Sequence, residues 1–116
     1  MGPELARLAR EAVGLDLLAE ATHEAAGENP VCGDRIAIAA RVEAGRIERL
    51  CFRATACPAC VAVASCASIA FEGAPFPLQA ASARLRREVE VRGGLTRFEE
   101  HAFELVTEVL ARLGPK

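Results

Sequence analysis

Two stretches of strict alternation, 36–42 and 50–54, constrain this chain more than anything else in it. Ile36, Ile38, Ala40 and Val42 alternate with Arg35, Ala37, Ala39 and Arg41, and Leu50, Phe52 and Ala54 repeat the same period. A side-chain period of two is that of a half-buried strand. Glu43-Ala44-Gly45 between them fits a three-residue hairpin loop whose last position takes a left-handed glycine. The implied register sets Ile38 opposite Leu50 and Ile36 opposite Phe52, all on one face. Other elements must cover that face.

The flanking sequence supplies helices. Pro3 suits a first turn, and Leu5, Leu8, Ala12, Leu15 and Leu18 recur at three and four, predicting a helix over 3–20. Residues 23–33 carry Gly27, Asn29, Pro30 and Gly33 and read as loop. Pro58 opens a helix of small residues that runs to Phe71, before Gly73, Pro75 and Pro77. A polar helix is expected over 78–88, with 89–91 either extending it or turning away. The last helix is expected over 96–113, with Phe98, Ala102, Leu105, Val109 and Leu113 as its buried stripe and Glu100, Glu104 and Glu108 on the wet side. Thr96 with Glu99 forms a capping-box pattern. The order predicts an α+β fold: a small antiparallel sheet with helices packed on one face.

The 116 residues fit one domain, 1–116. With 52% hydrophobic and 26% charged residues and a net charge of −2, the chain is neither a disordered tail nor a basic nucleic-acid binder. It has no Trp or Tyr, so a base-stacking platform is not expected either. Its longest apolar-leaning run, 57–71, is short of a membrane span, and charges at Glu4, Arg7, Arg10, Glu11, Asp16 and Glu20 break any secretory pattern. The expectation is a cytoplasmic protein with no membrane or nucleic-acid partner. In that compartment Cys32, Cys51, Cys57, Cys60 and Cys66 stay reduced and point to metal or thiol chemistry.

The hairpin sorts these cysteines. Cys32 precedes the first strand and Cys57 follows the second, so both fall at one end of the sheet. Cys32 sits in a turn with Gly33, and Asp34 adds an oxygen donor two residues on. Cys57, ahead of Pro58, takes a helix N-cap position, where the dipole favours the thiolate. Cys57-Pro58-Ala59-Cys60 is also a C-x-x-C on a first helical turn, the placement used in thiol–disulfide exchange. An antiparallel hairpin before it is unlike the βαβ start of such oxidoreductases. Cys66 reads as packing, Cys51 faces away from the Leu50/Phe52 side without a role, and His23 has no evident partner. Three classes stay open: a metal or iron–sulfur site, a thiol oxidoreductase using Cys57 and Cys60, and a metal-free fold acting as an interaction partner.

Asn29-Pro30-Val31-Cys32-Gly33-Asp34, then Gly45-Arg46-Ile47, the Phe52 strand, and Cys57 ahead of Ala62-Val63-Ala64-Ser65 resemble the U-type iron–sulfur cluster assembly scaffold family (IscU, SufU and the NifU N-terminal domain) over residues 29–73. The resemblance implies a non-enzymatic scaffold that carries an iron–sulfur cluster (2Fe-2S) or zinc and meets a cysteine desulfurase and apo-protein acceptors. It makes Cys32 the first cysteine ligand, Asp34 the aspartate that keeps the cluster labile, and Cys57 the second cysteine. The family's third cysteine, its usual sulfur acceptor, would fall at 98–100, where Phe98, Glu99 and Glu100 stand instead. The family's Leu-Pro-Pro-Val-Lys chaperone-recruiting stretch is missing, and Cys60 replaces a small residue. His101, three residues after Phe98 on the flank of the expected buried stripe, is the expected donor from the last helix, with Glu100 turned to water and Glu99 taking its place if the helix is drawn one residue off. Cys32, Asp34, Cys57 and His101 would suit iron–sulfur or tetrahedral zinc.

Overall fold

The computed structural model describes residues 1–16 and 19–116. Its first helix, α1 (Pro3–Glu11), is shorter than its apolar spacing predicts. Ala12 adopts a left-handed conformation and donates its N–H to the Leu8 carbonyl, closing the helix. The chain then turns onto the sheet. Gly14 accepts the Phe52 N–H at 2.9 Å and Asp16 donates to the Phe52 carbonyl at 2.8 Å. Gly14 permits this, because a Cβ there would lie 2.1 Å from Ser68 Oγ. Leu15 is consequently exposed rather than on a helical stripe, and Leu18 lies outside the described residues.

The expected loop over 23–33 begins with a strand, β1 (His23–Glu28). Its inward positions are His23, Ala25 and Gly27, so no apolar alternation announces it. Small residues are needed there because the last helix lies close: a Cβ on Gly27 would be 2.8 Å from Val109 Cγ2. The hairpin strands β2 (Arg35–Glu43) and β3 (Arg46–Thr55) follow, and β4 (Gly114–Pro115) completes an antiparallel sheet of order β3-β2-β1-β4.

The hairpin turn has two residues, not three. Glu43 pairs with Arg46, and Ala44 and Gly45 take φ of 52° and 74°, as a primed two-residue turn requires. A bulge follows between Arg41 and Val42, so Ile38 pairs with Phe52, Ile36 with Ala54 and Ala40 with Leu50. The register differs from the expected one by two residues, which keeps the buried set on its face. Ile36, Ile38, Ala40, Leu50 and Phe52 are all buried.

Helix α2 (Pro58–Phe71) touches α1, β3 and both later helices. It is apolar and small on nearly every side, which lets three helices approach it. Buried Ser68 donates to the Leu50 carbonyl at 2.8 Å, so its hydroxyl is satisfied against the sheet. Helix α3 runs Ala81–Glu90, starting and ending later than expected, after Ala80 in a left-handed conformation. The Thr96–Glu99 capping box forms and opens a 3₁₀ turn, Arg97–Glu99, before α4 (Glu100–Ala111).

That 3₁₀ turn corrects the expected stripe. Phe98 is 85% exposed, and the buried face of α4 is Ala102, Phe103, Leu105, Val106, Val109 and Leu110. Together these elements make the expected α+β architecture. No helix among the described residues is long and apolar enough to cross a membrane.

Candidate metal centre

Arg35 pairs with Thr55, so the residues ahead of β2 and behind β3 leave the sheet side by side. The leading loop is tied by its own backbone. Asn29 Oδ1 accepts the Val31 N–H at 3.0 Å, Gly33 donates to the Asn29 carbonyl at 2.7 Å, and Asn29 donates to the Asp34 carbonyl at 2.8 Å. Gly33, at φ 77°, makes the return bend. Cys32 is exposed at the tip of this loop, and Asp34 is buried at its base.

Asp34 spans the two strand ends. Its Oδ1 accepts the backbone N–H of Cys57 at 3.0 Å. Its Oδ2 is buried and has no hydrogen-bond partner, which is costly for a carboxylate oxygen. Opposite it stands His101, in the first turn of α4. His101 Nε2 lies 3.6 Å from Asp34 Oδ2 and 3.7 Å from Cys57 Sγ. Its Nδ1 lies 2.8 Å from the Phe98 carbonyl, which can only accept, so Nδ1 carries the proton. In the neutral ring this leaves the Nε2 lone pair facing Asp34 and Cys57. Donor atoms of Cys32, Asp34 and His101 lie within 4.8 Å of one another. Cys57 lies outside that trio and reaches it through its 3.7 Å approach to His101, so the four expected residues share one sheet end but only three of them form the tight cluster.

Cys57 takes the expected N-cap position of α2, but its thiol is not primed as the helix dipole alone predicts. Burial above all, helped by the Asp34 carboxylate, holds the thiol above its ordinary range, and the opposing pull of the Cys60 and Ala59 amides does not overcome it. A cation would have to displace that proton.

The other candidates are engaged elsewhere. Glu99 closes the capping box on the Thr96 N–H at 2.9 Å and lies 3.0 Å from the amino group of Met1. Glu100 is not simply turned to water: it is held by Arg86 at 2.9 and 2.7 Å. Cys60 is fully buried beneath Cys57, and burial pushes its thiol up to about 12. A buried, firmly protonated thiol is a poor exchange partner. Burial likewise pushes Cys66 up to about 11. Cys51 is buried within β3. His23 does have partners, Thr22 Oγ1 at 2.8 Å and the Phe76 ring at 4.6 Å, but it pairs with Ala40 at the far end of the sheet. Two features escape sequence reading. The Phe98 carbonyl that orients His101 is backbone, and Arg86 pairs with Glu100 across fourteen positions.

Comparison with known proteins agrees with the fold and gives the family. The family model described as "NifU-like N terminal domain" matches residues 13–112. No curated protein matches the chain. Among solved structures, the chain resembles a putative iron–sulfur cluster assembly scaffold protein for the SUF system from Fervidobacterium islandicum AW-1, with a TM-score of 0.74 at 12% identity, over 95% of this chain and 93% of that one. It also resembles a nitrogen-fixing NifU-like protein (N-terminal) from Brucella abortus, with a TM-score of 0.61 at 22% identity, over 96% and 80%. A hypothetical protein matches with a TM-score of 0.63 at 17% identity, over 93% and 94%.

Proposed function

The chain belongs to the NifU-like N-terminal domain family, and from that premise we propose that it is an iron–sulfur cluster assembly scaffold holding its cargo through Cys32, Asp34, Cys57 and His101. Scaffolds of this family are not enzymes, and they generally meet cysteine desulfurases and acceptor proteins.

One observation carries the reading: a buried carboxylate oxygen with no hydrogen-bond partner faces an imidazole nitrogen and a thiol at one point. Buried, unpartnered Asp34 Oδ2 faces His101 Nε2 at 3.6 Å, and Cys57 Sγ lies 3.7 Å from that nitrogen. A bound cation satisfies all three at once. Two thiolates suit the soft iron of a cluster, and imidazole takes the place of the third thiolate. Asp34 supplies a harder and weaker ligand, the link that breaks most readily when a cluster leaves. Cys32, exposed at the loop tip, marks the side on which a desulfurase or an apo-protein acceptor meets the site. Two thiolates, an imidazole and a carboxylate are also donor types that tetrahedral zinc takes, the second reading that this donor set favours.

Anaerobic reconstitution with ferrous iron and sulfide, followed by incubation with an apo-ferredoxin, tests the proposal. The expected result is a coloured protein that transfers its cluster to the acceptor. A chain that holds neither cluster nor zinc overturns it.

A further inference from the structure

The site depends on where α4 begins, and one side chain outside the site fixes that point. Arg86, on α3, donates Nη1 to Glu100 Oε1 at 2.9 Å and Nη2 to Glu100 Oε2 at 2.7 Å. The same guanidinium lies over the Phe103 ring, 3.7 Å from its centroid. Glu90 Oε1 approaches it from its own helix at 3.7 Å. Glu100 and Phe103 stand on either side of His101 in the first turn of α4, so one planar group grips that turn at two points. On the other flank, the Thr96–Glu99 capping box fixes the entry.

We infer that Arg86 is a positioning residue for His101, acting through Glu100 and Phe103; this rests on the metal-centre reading given above. His101 Nε2 is already 3.6 and 3.7 Å from its two partners. Zinc–nitrogen bonds are about 2.0–2.1 Å long, so an ion between these atoms needs only a small inward movement, made from a fixed helix start. Arg is suited to the task because its rigid fork matches a carboxylate while its flat face stacks on an aromatic ring. Lys keeps the charge and loses both. The role is that of an outer partner that holds a ligand in place, and loss of such partners typically weakens metal binding by roughly 10–100-fold.

The test is cobalt(II) binding by the full chain, followed by visible absorption, for wild type, Arg86→Ala, His101→Ala and the double variant. Arg86→Ala is expected to weaken binding by roughly 10–100-fold when His101 is present and to have no further effect when it is absent. Equal losses in both backgrounds, or none in either, overturn the inference. Nitrogen NMR of the His101 ring in the metal-free protein gives an independent readout. Wild type should show one tautomer with the proton on Nδ1, and Arg86→Ala and Arg86→Lys should show mixtures. If wild type binds no cobalt, the metal-centre reading fails, and the ring signal alone then decides the role of Arg86. An unchanged tautomer in both variants overturns it.

Discussion

Asp34 Oδ1 accepts the backbone N–H of Cys57 at 3.0 Å, joining the residue ahead of β2 to the residue behind β3. One carboxylate thus does two things at once. It satisfies the N-cap amide of α2, and it holds its second oxygen, buried and unpartnered, toward His101. The fold and the candidate site meet in this side chain.

Asp34→Asn and Asp34→Ala separate these roles. Asn keeps an acceptor for the Cys57 amide, so its stability should stay within about 1 kcal/mol of wild type, whereas Ala leaves that donor unmet and should cost about 1–3 kcal/mol. By the family resemblance, which makes Asp34 the residue that keeps the cluster labile, Asp34→Ala should also retain a reconstituted cluster longer than wild type in the presence of a chelator. Denaturant unfolding and the decay of visible absorption measure the two effects.

His101 and Glu99 should behave oppositely. His101→Ala should lower metal affinity sharply with little change in stability. Glu99→Ala should keep metal and lose stability by about 0.5–2 kcal/mol, the usual cost of a lost helix cap. Metal titration beside thermal unfolding distinguishes them, and equal metal retention by both would leave Cys32, Asp34 and Cys57 as the site without imidazole.

The buried thiols predict how the fold ends in alkali. Cys60 and Cys66 are pushed up to about 12 and about 11, from an ordinary value of 9.0, mainly by burial. In the unfolded chain they ionise near 9.0, so their stabilising contribution is complete below that pH and is lost as pH rises through the folded values. Cys60→Ala should move the alkaline unfolding midpoint upward while costing about 1 kcal/mol near neutrality from lost packing. Circular dichroism against pH reads both.

Much of this was legible in the chain because it rests on local pattern. Alternation marked the hairpin, the hairpin brought Cys32 and Cys57 to one end, and Thr96 with Glu99 marked the start of the last helix. What sequence could not show depends on contacts between distant residues. β1 has Gly27 facing inward where Val109 lies against it, so its strand character is set by α4 and not by its own hydrophobicity. The first helix run stops at left-handed Ala12, and Gly14 lets the chain pass Ser68 on its way to the sheet. Phe98 leaves the core because a 3₁₀ turn rotates it outward. At the site, the residue types were readable, but the Phe98 carbonyl, the orphaned Asp34 oxygen and the Arg86 grip belong to the folded chain alone.

The central claim is that Cys32, Asp34, Cys57 and His101 together bind metal. It is tested most directly by measuring iron, acid-labile sulfide and zinc per chain in protein purified without oxygen, for wild type, Cys32→Ala and Cys57→Ala. Wild type is expected to carry near-stoichiometric cluster or zinc and each variant to lose it, with the fold intact by circular dichroism. A wild type free of iron and zinc, or folded variants that retain the full wild-type content, would contradict it.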